Sequence, residues 1–324
     1  MGKAISGMVI FTLLAKVLGF VRELLLSYFF GATGMSDAYL ISQTIPGTIF
    51  QFVGTGLTTC FIPVYYRVLR EHDRDECDTF TNKVLTMVLS FSTVIMALVW
   101  LFTPVIVKIF ASGFAGNTLE MAIVFTRIGI CSLYFSSVIY VYSSYLQANN
   151  VFSITAAAAI PNSLVIIVSI VLGACWNILA LSIGSTLATA VQMVFLWIPV
   201  HKLKFRLRLN FHWKDSYLQY FFSLMGPVIL GVSVNEINTL LDRTIASQVA
   251  IGGISALTYA NSLVMLVQGG FAQPVATVFY PKMTKSITEG KHKAAQTDFH
   301  AALQVLLLFL LPVTIGFVVL SNDI

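Results

Sequence analysis

Long apolar runs, each able to cross a bilayer, recur along the whole 324-residue chain. A helical span needs about 20 apolar residues. Runs of that kind lie near residues 4–30, 36–66, 84–111, 119–147, 151–174, 177–200, 217–248, 254–281 and 297–320. Hydrocarbon gives the backbone no hydrogen-bond partner, so immersed segments fold as helices or closed barrels. The lengths here select helices. Charged residues make up only 10% of the chain, against roughly 25% in soluble globular proteins. A cytoplasmic enzyme, a secreted disulfide scaffold and a disordered tail are thereby excluded. The pattern predicts an all-α membrane protein of about nine transmembrane helices. Pro46, Pro161, Pro227 and Pro274 fall inside runs and are candidate kink sites. The first run carries Lys16, Arg22 and Glu23, which argues against a cleaved signal peptide.

The formal charge of +5 would suit a nucleic-acid partner, but its placement argues for none. With the N-terminus inside, the inner connections receive Lys3, Arg67, Arg70, Arg74 and Lys83. They also receive Lys202, Lys204, Arg206, Arg208 and Lys214, then Lys282, Lys285, Lys291 and Lys293. The outer side receives Lys108. This is the positive-inside bias, and it predicts a multi-pass protein with a cytoplasmic N-terminus. The segment from Lys202 to Phe211 alternates charged and apolar residues. A topology determinant is the favoured reading, with a strand lying against anionic headgroups as the alternative. Cys60, Cys77, Cys131 and Cys175 have no ligand spacing, and the histidines lie in or beside polar connections, so no metal site is expected.

A weak internal repeat organises the spans. Gly34-Met35-Ser36 matches Gly253-Ile254-Ser255, Tyr39 matches Tyr259, and Phe61-Ile62-Pro63 matches Phe279-Tyr280-Pro281. Upstream, Arg22-Glu23 corresponds to Asp242-Arg243 at a similar offset. Six helices would form one unit and the seventh would restart it, giving two copies in the same orientation. The division expected is 1–201 as an N-lobe of helices 1–6, 202–216 as a cytoplasmic basic linker, and 217–324 as a partial C-lobe of helices 7–9. On this reading the second copy is half present, and the chain is expected to be a C-terminally truncated transporter.

Charged residues within the spans are costly unless paired or hydrated, and by default mark a cavity. The basic ones are Lys16, Arg22, Arg127 and Arg243; the acidic ones are Glu23, Glu236 and Asp242, with Asp37 at an outer helix start. Arg22, helped by Lys16 through a kink near Gly19, is the candidate contact for an anionic headgroup, because a guanidinium fork binds phosphate bidentately. The alternative is a structural pair. Glu23 is expected to point away from Arg22, toward another helix. Arg127 is as consistent with a structural or snorkelled role as with substrate contact. Glu236, Asn235, Asn238 and Asp242 could ligate a cation, although an interhelical pair from Asp242 to an arginine is the preferred reading. Asp37 reads as an N-cap.

No nucleophile elbow, Walker loop or HExxH motif is present. The chain is therefore expected not to be an enzyme, to hold no cofactor, and to draw any transport energy from a coupling cation, the membrane potential or downhill flow of substrate.

The segments Lys16-Val-Leu-Gly-Phe-Val-Arg-Glu23, Phe30-Gly-Ala32, Ser36-Asp-Ala-Tyr39, Thr44-Ile-Pro-Gly47 and Phe61-Ile-Pro-Val-Tyr65 resemble the start of the MurJ/MviN lipid II flippases. Asp242-Arg-Thr-Ile-Ala-Ser247 and Ala256-Leu-Thr-Tyr-Ala-Asn261 resemble that family's seventh and eighth helices. The resemblance implies the multidrug/oligosaccharidyl-lipid/polysaccharide (MOP) exporter superfamily, with a MATE-like N-lobe of six helices and an incomplete C-lobe. It implies alternating-access transfer of undecaprenyl-pyrophosphate-linked peptidoglycan precursor across the bacterial cytoplasmic membrane. Its implied partners are that polyprenyl-pyrophosphate-linked saccharide, membrane lipids and cell-wall synthesis proteins. Lys16 and Arg22 fall at the family's pyrophosphate-facing positions, with Glu23 and Asp37 at matching acidic ones. The chain departs from the family where it reads Thr48-Ile-Phe-Gln51 and Ser262, positions where arginines are common. The alternatives are a flippase for a sister polyprenyl-linked oligosaccharide, a cation-coupled small-molecule exporter, and an inactive truncated protein.

Overall fold

The computed structural model describes residues 2–211 and 215–321, apart from the side chains of 2–6, 9, 270, 271, 273, 274, 277 and 281. Lys214 and Asn322–Ile324 lie outside the described residues, as do the side chains of Lys3, Pro274 and Pro281. The helices are α1 (Gly2–Phe30), α2 (Gly34–Glu71), α3 (Arg74–Leu101), α4 (Thr103–Phe110), α5 (Gly116–Gly129), α6 (Ser132–Ala148) and α7 (Phe152–Ala157). They continue with α8 (Ala159–Cys175), α9 (Leu179–Lys202), α10 (Ser216–Val249), α11 (Gly253–Val267), α12 (Gln273–Thr288) and α13 (His292–Val319). A π-helical turn, Gln268–Ala272, joins α11 to α12. The described residues contain no strand.

The all-α reading holds, but several apolar runs are interrupted. Among the described residues five helices, α2, α3, α9, α10 and α13, are individually long and apolar enough to span a membrane; α7 with α8 makes a sixth such span, and α5 with α6, bent by 44°, a seventh. The run 84–111 splits at Phe102, with Pro104 in the first turn of α4. Proline has no N–H to give and its ring meets the carbonyl four residues back, which stops α3 here. Pro161 acts likewise against Ala157, where α7 ends. Pro46 and Pro227, the candidate kink sites, lie inside α2 and α10, each of which continues through its proline as one helix. Helix ends also extend beyond the apolar runs, because polar turns such as Arg74–Lys83 continue α3 outside the hydrocarbon.

Two compact units emerge, Met1–Leu257 and Thr258–Ile324. In the first, α2 is central and packs against α5, α6 and α10, while α8 and α9 form a tight antiparallel pair that also holds α1. Lipid tails give helices no hydrophobic reason to associate, so close backbone approach at small residues carries the packing. Gly184 of α9 abuts Ser169 of α8, and a Cβ on Gly173 would sit 2.9 Å from Leu181 Cγ. In the second unit α12 packs on α13, and Lys282 Nζ lies 2.5 Å from Asp298 Oδ1.

The segment between α9 and α10 is docked rather than free. Asn82 of α3 donates from Nδ2 to the Arg206 carbonyl (3.0 Å) and accepts from the Arg208 N–H (2.9 Å). The Asn210 N–H donates to Thr86 Oγ1 at 3.0 Å. Phe205 is buried against Tyr145, with ring centroids 5.0 Å apart. Asp215 then caps α10, accepting from the Tyr217 and Leu218 amides, and takes Lys83 Nζ at 2.7 Å. Burial pushes the Asp215 carboxyl up, but the Lys83 bond and the two amides outweigh it and hold it below the usual carboxylate range.

Two outcomes follow from this packing. Gly184→Val forces α8 and α9 apart and costs about 1–3 kcal/mol as an overpacked contact; Gly19→Ala, with nothing within 4 Å of its Cβ, costs nothing and gains up to about 1 kcal/mol of helix propensity. Thermal unfolding in detergent distinguishes the two. A carboxyl with a lowered folded pKa stabilises fully above its unfolded value and loses that contribution as pH falls through the folded one. The melting advantage of the wild type over Asp215→Asn is therefore constant from neutrality down to about pH 5 and shrinks only below about pH 4; an advantage that already shrinks between neutrality and about pH 5 contradicts the assignment.

Candidate functional site

Two acid–base pairs that the repeat relates, Arg22-Glu23 and Asp242-Arg243, meet in one charged cluster. Arg22 Nη2 lies 2.8 Å from Glu23 Oε1, with the two side chains 34% and 14% exposed. The sequence reading sent Glu23 toward another helix; instead the long arginine side chain folds onto its neighbour. Glu23 Oε2 is buried without a hydrogen-bond partner among the described residues. Arg243 of α10 lies in the fields of Glu23, Asp242 and Asp37, and donates from Nη1 to the Ile254 carbonyl at 3.2 Å. Buried Tyr39 of α2 is in turn within electrostatic reach of Arg22 and Glu23. Two guanidinium groups thus share the field of Glu23, Arg22 in direct contact and Arg243 through its charge. An arginine so placed keeps donors for an incoming anion while its own charge is partly compensated.

Lys16 does not join it. α1 runs unbroken through Gly19, so Lys16 and Arg22 stay about 120° apart around the helix, and Lys16 is exposed. Arg127 is also elsewhere, exposed and 5.6 Å over the Trp100 ring. That is the arrangement of a cation held by an aromatic face. Glu236 is buried and within reach of Tyr140, whereas Asn235, Asn238 and Asp242 are exposed. The four groups considered for a cation are therefore not gathered into one shell.

Asp37 has a role that its own helix does not reveal. The cap of α2 is Thr33, whose side chain accepts from the Ser36 N–H, which corrects the N-cap reading of Asp37. Asp37 is 1% exposed and reaches across to α11. It accepts from the Gly252 N–H and the Ser255 N–H, both at 2.7 Å, and from the Ser255 hydroxyl. A carboxylate at a helix N-terminus satisfies orphan amides and meets the positive end of the dipole. Gly252 adopts φ +87°, and any Cβ there would collide with the Ala32 carbonyl, so the turn before α11 lies directly on the turn before α2. The seam continues along α10. Thr244 Oγ1 donates to the Ile109 carbonyl at 3.0 Å, Ser247 Oγ accepts from the Gly113 N–H at 3.1 Å, and Gln248 Nε2 donates to Ser112 Oγ at 2.6 Å. Gly252, Ser255, Thr244 and Ser247 escaped the sequence reading. The repeat match of Gly34–Ser36 to Gly253–Ser255 was the one signal that pointed near them.

The chain matches the lipid II flippase MurJ family over residues 26–324. It belongs to that family. A probable lipid II flippase MurJ of Rickettsia prowazekii (strain Madrid E) is 28% identical over 97% of this chain and 62% of its own length. One from Buchnera aphidicola subsp. Acyrthosiphon pisum is 28% identical over 89% of this chain and 58% of its own. The chain thus spans about three fifths of the length of these relatives. A solved lipid II flippase MurJ in an inward closed conformation superposes with TM-score 0.79 at 24% identity, over 97% of this chain and 65% of that one. An inward-facing MATE transporter of the MOP superfamily follows at TM-score 0.71 and 15% identity, over 95% of this chain and 71% of that one. The fold is therefore a MurJ/MATE fold, and the expected membership and MOP-type architecture are borne out. The family match begins at Leu26, so Arg22 and Glu23 precede it.

The Asp37 clasp yields a direct test. Asp37→Ala leaves the Gly252 and Ser255 donors buried without their acceptor, at a cost of about 1–3 kcal/mol. A matching drop in the thermal midpoint is expected, with Asp37→Asn intermediate because its amide oxygen still accepts.

Proposed function

We propose that this chain forms the first helices of a lipid II flippase in the bacterial cytoplasmic membrane. It would move undecaprenyl-pyrophosphate-linked peptidoglycan precursor from the inner to the outer leaflet by alternating access. In this reading residues 1–201 are the N-lobe, 202–216 the cytoplasmic linker and 217–324 the opening part of the C-lobe, with the N-terminus inside. The observation that carries it is the pairing of family membership with the Arg22–Glu23–Arg243 cluster. A lipid pyrophosphate brings a dense negative charge into a region where hydrocarbon excludes water. Arginine suits that task, since it stays protonated and offers parallel donors.

Arg22 is the principal anion contact in the proposed cycle, with Arg243 sharing Glu23. An arriving pyrophosphate competes with Glu23 for Arg22 and frees that carboxylate for Arg243. The Asp37 clasp and the α10 seam close the outer side while the cargo enters from within, and must separate for release. Lys16, exposed on the same helix, would meet the headgroup on entry. Arg127, over Trp100, would act as an anchor outside the cargo path. The energy source would be a coupling cation or the membrane potential.

The test is native mass spectrometry of the chain in mild detergent with lipid II supplied. A retained adduct is expected for the wild type and a loss of roughly 10–100-fold for Arg22→Ala, the scale of a charge-assisted bond. An adduct indifferent to Arg22→Ala sinks the proposal. Buried Glu236 favours one second reading, a cation-coupled exporter, for which Glu236→Gln would abolish efflux while Arg22→Ala stays silent.

A further inference from the structure

The docked linker ends beside an apolar cavity that the flippase reading leaves unused. The cavity has a volume of about 550 Å³ and lies between α2, α3 and α10, lined by residues that include Val53, Met87, Phe91, Phe222, Met225 and Ile229. That size is ordinary for a ligand pocket, roughly 300–1,000 Å³. Its other lining residues include Ser90, whose hydroxyl is turned back onto the Thr86 carbonyl at 2.8 Å. The lining therefore offers an occupant packing but little polar recognition.

The charge is at its edge. Asn210 is bound to Thr86, the residue before Met87, and Arg208 is bound to Asn82, one turn further along α3. One helical turn is about 5.4 Å, so the basic stretch runs alongside α3 and stops at the cavity's end of it. Lys204, Arg206 and Arg208 are exposed, and none is in an ion pair among the described residues. Lys83 nearby is already taken by Asp215 and Glu76. Interleaved with the basic residues, Leu207, Leu209 and Phe211 are 52%, 61% and 60% exposed. An extended segment sends alternate side chains to opposite faces. One face is thus cationic and the other apolar, at a junction between two spans.

We infer that the linker and this cavity together bind one anionic phospholipid. Its phosphate lies on Arg206 and Arg208 and one acyl chain enters the space between α3 and α10. The distribution fits a molecule with a charged head at the interface and a long apolar chain beside it. A free phosphate would need no cavity, and a neutral lipid would need no arginines. Such a lipid would couple α10 to α3 at the side where Lys83 and Asp215 already join them. This inference goes beyond the flippase proposal and does not depend on transport.

The experiment is native mass spectrometry of the chain with equal phosphatidylglycerol and phosphatidylcholine of the same acyl chains. The expected result is one retained lipid per chain with phosphatidylglycerol several-fold preferred. Arg206→Gln/Arg208→Gln, on exposed positions that leave the fold intact by circular dichroism, brings that ratio to about one while retention persists. Ser90→Phe, filling the cavity, lowers retention of both lipids. Equal retention by the wild type overturns the inference, as does a preference that both variants leave unchanged. A polyprenyl phosphate that outcompetes phosphatidylglycerol and is lost in Ser90→Phe also overturns it, by assigning the cavity to the cargo's tail.

Discussion

Hydrocarbon supplies no hydrogen bonds, and this constraint decides what each polar side chain in the chain does. Many hydroxyls are turned back onto the carbonyl one turn earlier, as in Thr86 onto Asn82 at 2.7 Å and Thr103 onto Val99 at 2.7 Å. Others join helices, such as Ser92 with Ser137 at 2.6 Å, and Gln43 donating to Ser185 at 2.8 Å. Charges obey the same rule at greater cost. Arg22 is matched with Glu23, and Asp37 is enclosed by helix-terminal amides and a hydroxyl. The polar residues thereby hold the bundle together at discrete points, while small residues such as Gly184 let the backbones approach.

α10 is held to the N-terminal helices at both ends, by different chemistry. Its C-terminal end is fastened by neutral bonds, Thr244 Oγ1 donating to the Ile109 carbonyl and Ser247 Oγ accepting from the Gly113 N–H, and lies next to the Asp37 clasp, where a Cβ at Gly113 or Gly252 would collide. Its N-terminal end is fastened by ions and aromatic rings. Tyr217 donates to Glu71 at 2.7 Å, Arg67 lies 4.7 Å over Tyr220, and Lys83 bonds Asp215. Neutral bonds are little affected by salt, whereas exposed ion pairs are screened by it. In the proposed cycle the two ends therefore answer to different influences. The C-terminal one would open when the buried donors find other acceptors, and the N-terminal one would yield to competing ions and lipid headgroups.

Much of the fold was legible because a membrane helix announces itself locally. The apolar runs, the basic connections and Arg22 all stand in sequence without reference to anything distant. What was illegible depended on long-range partners. Nothing near Asp37 says that its acceptor oxygens belong to amides beyond residue 250, and its place just after Ser36 at a helix start made the local cap the natural reading. Glu23 failed for the opposite reason. Adjacent helical residues diverge, yet arginine is long enough to fold back onto its neighbour once no water competes. The splits at Phe102 and Ala158 were readable in principle from Pro104 and Pro161, through the carbonyls those rings would strike. Apolar continuity concealed them, because hydropathy registers composition and ignores backbone geometry.

The sequence match between the two helix starts falls where the clasp lies. In the proposed two-lobed flippase, two copies of one helix pair in the same orientation would bring equivalent helix starts to the same side of the membrane. The turn before α2 and the turn before α11 meet there as near-equivalents, Gly34–Ser36 beside Gly253–Ser255. At the position after the shared serine, the first copy has Asp37 and the second has Ala256. One carboxylate between two positive helix ends is enough to join them, whereas two would repel at short range. The asymmetry between otherwise matching copies is thus what lets the first copy supply the acceptor and the second the donors.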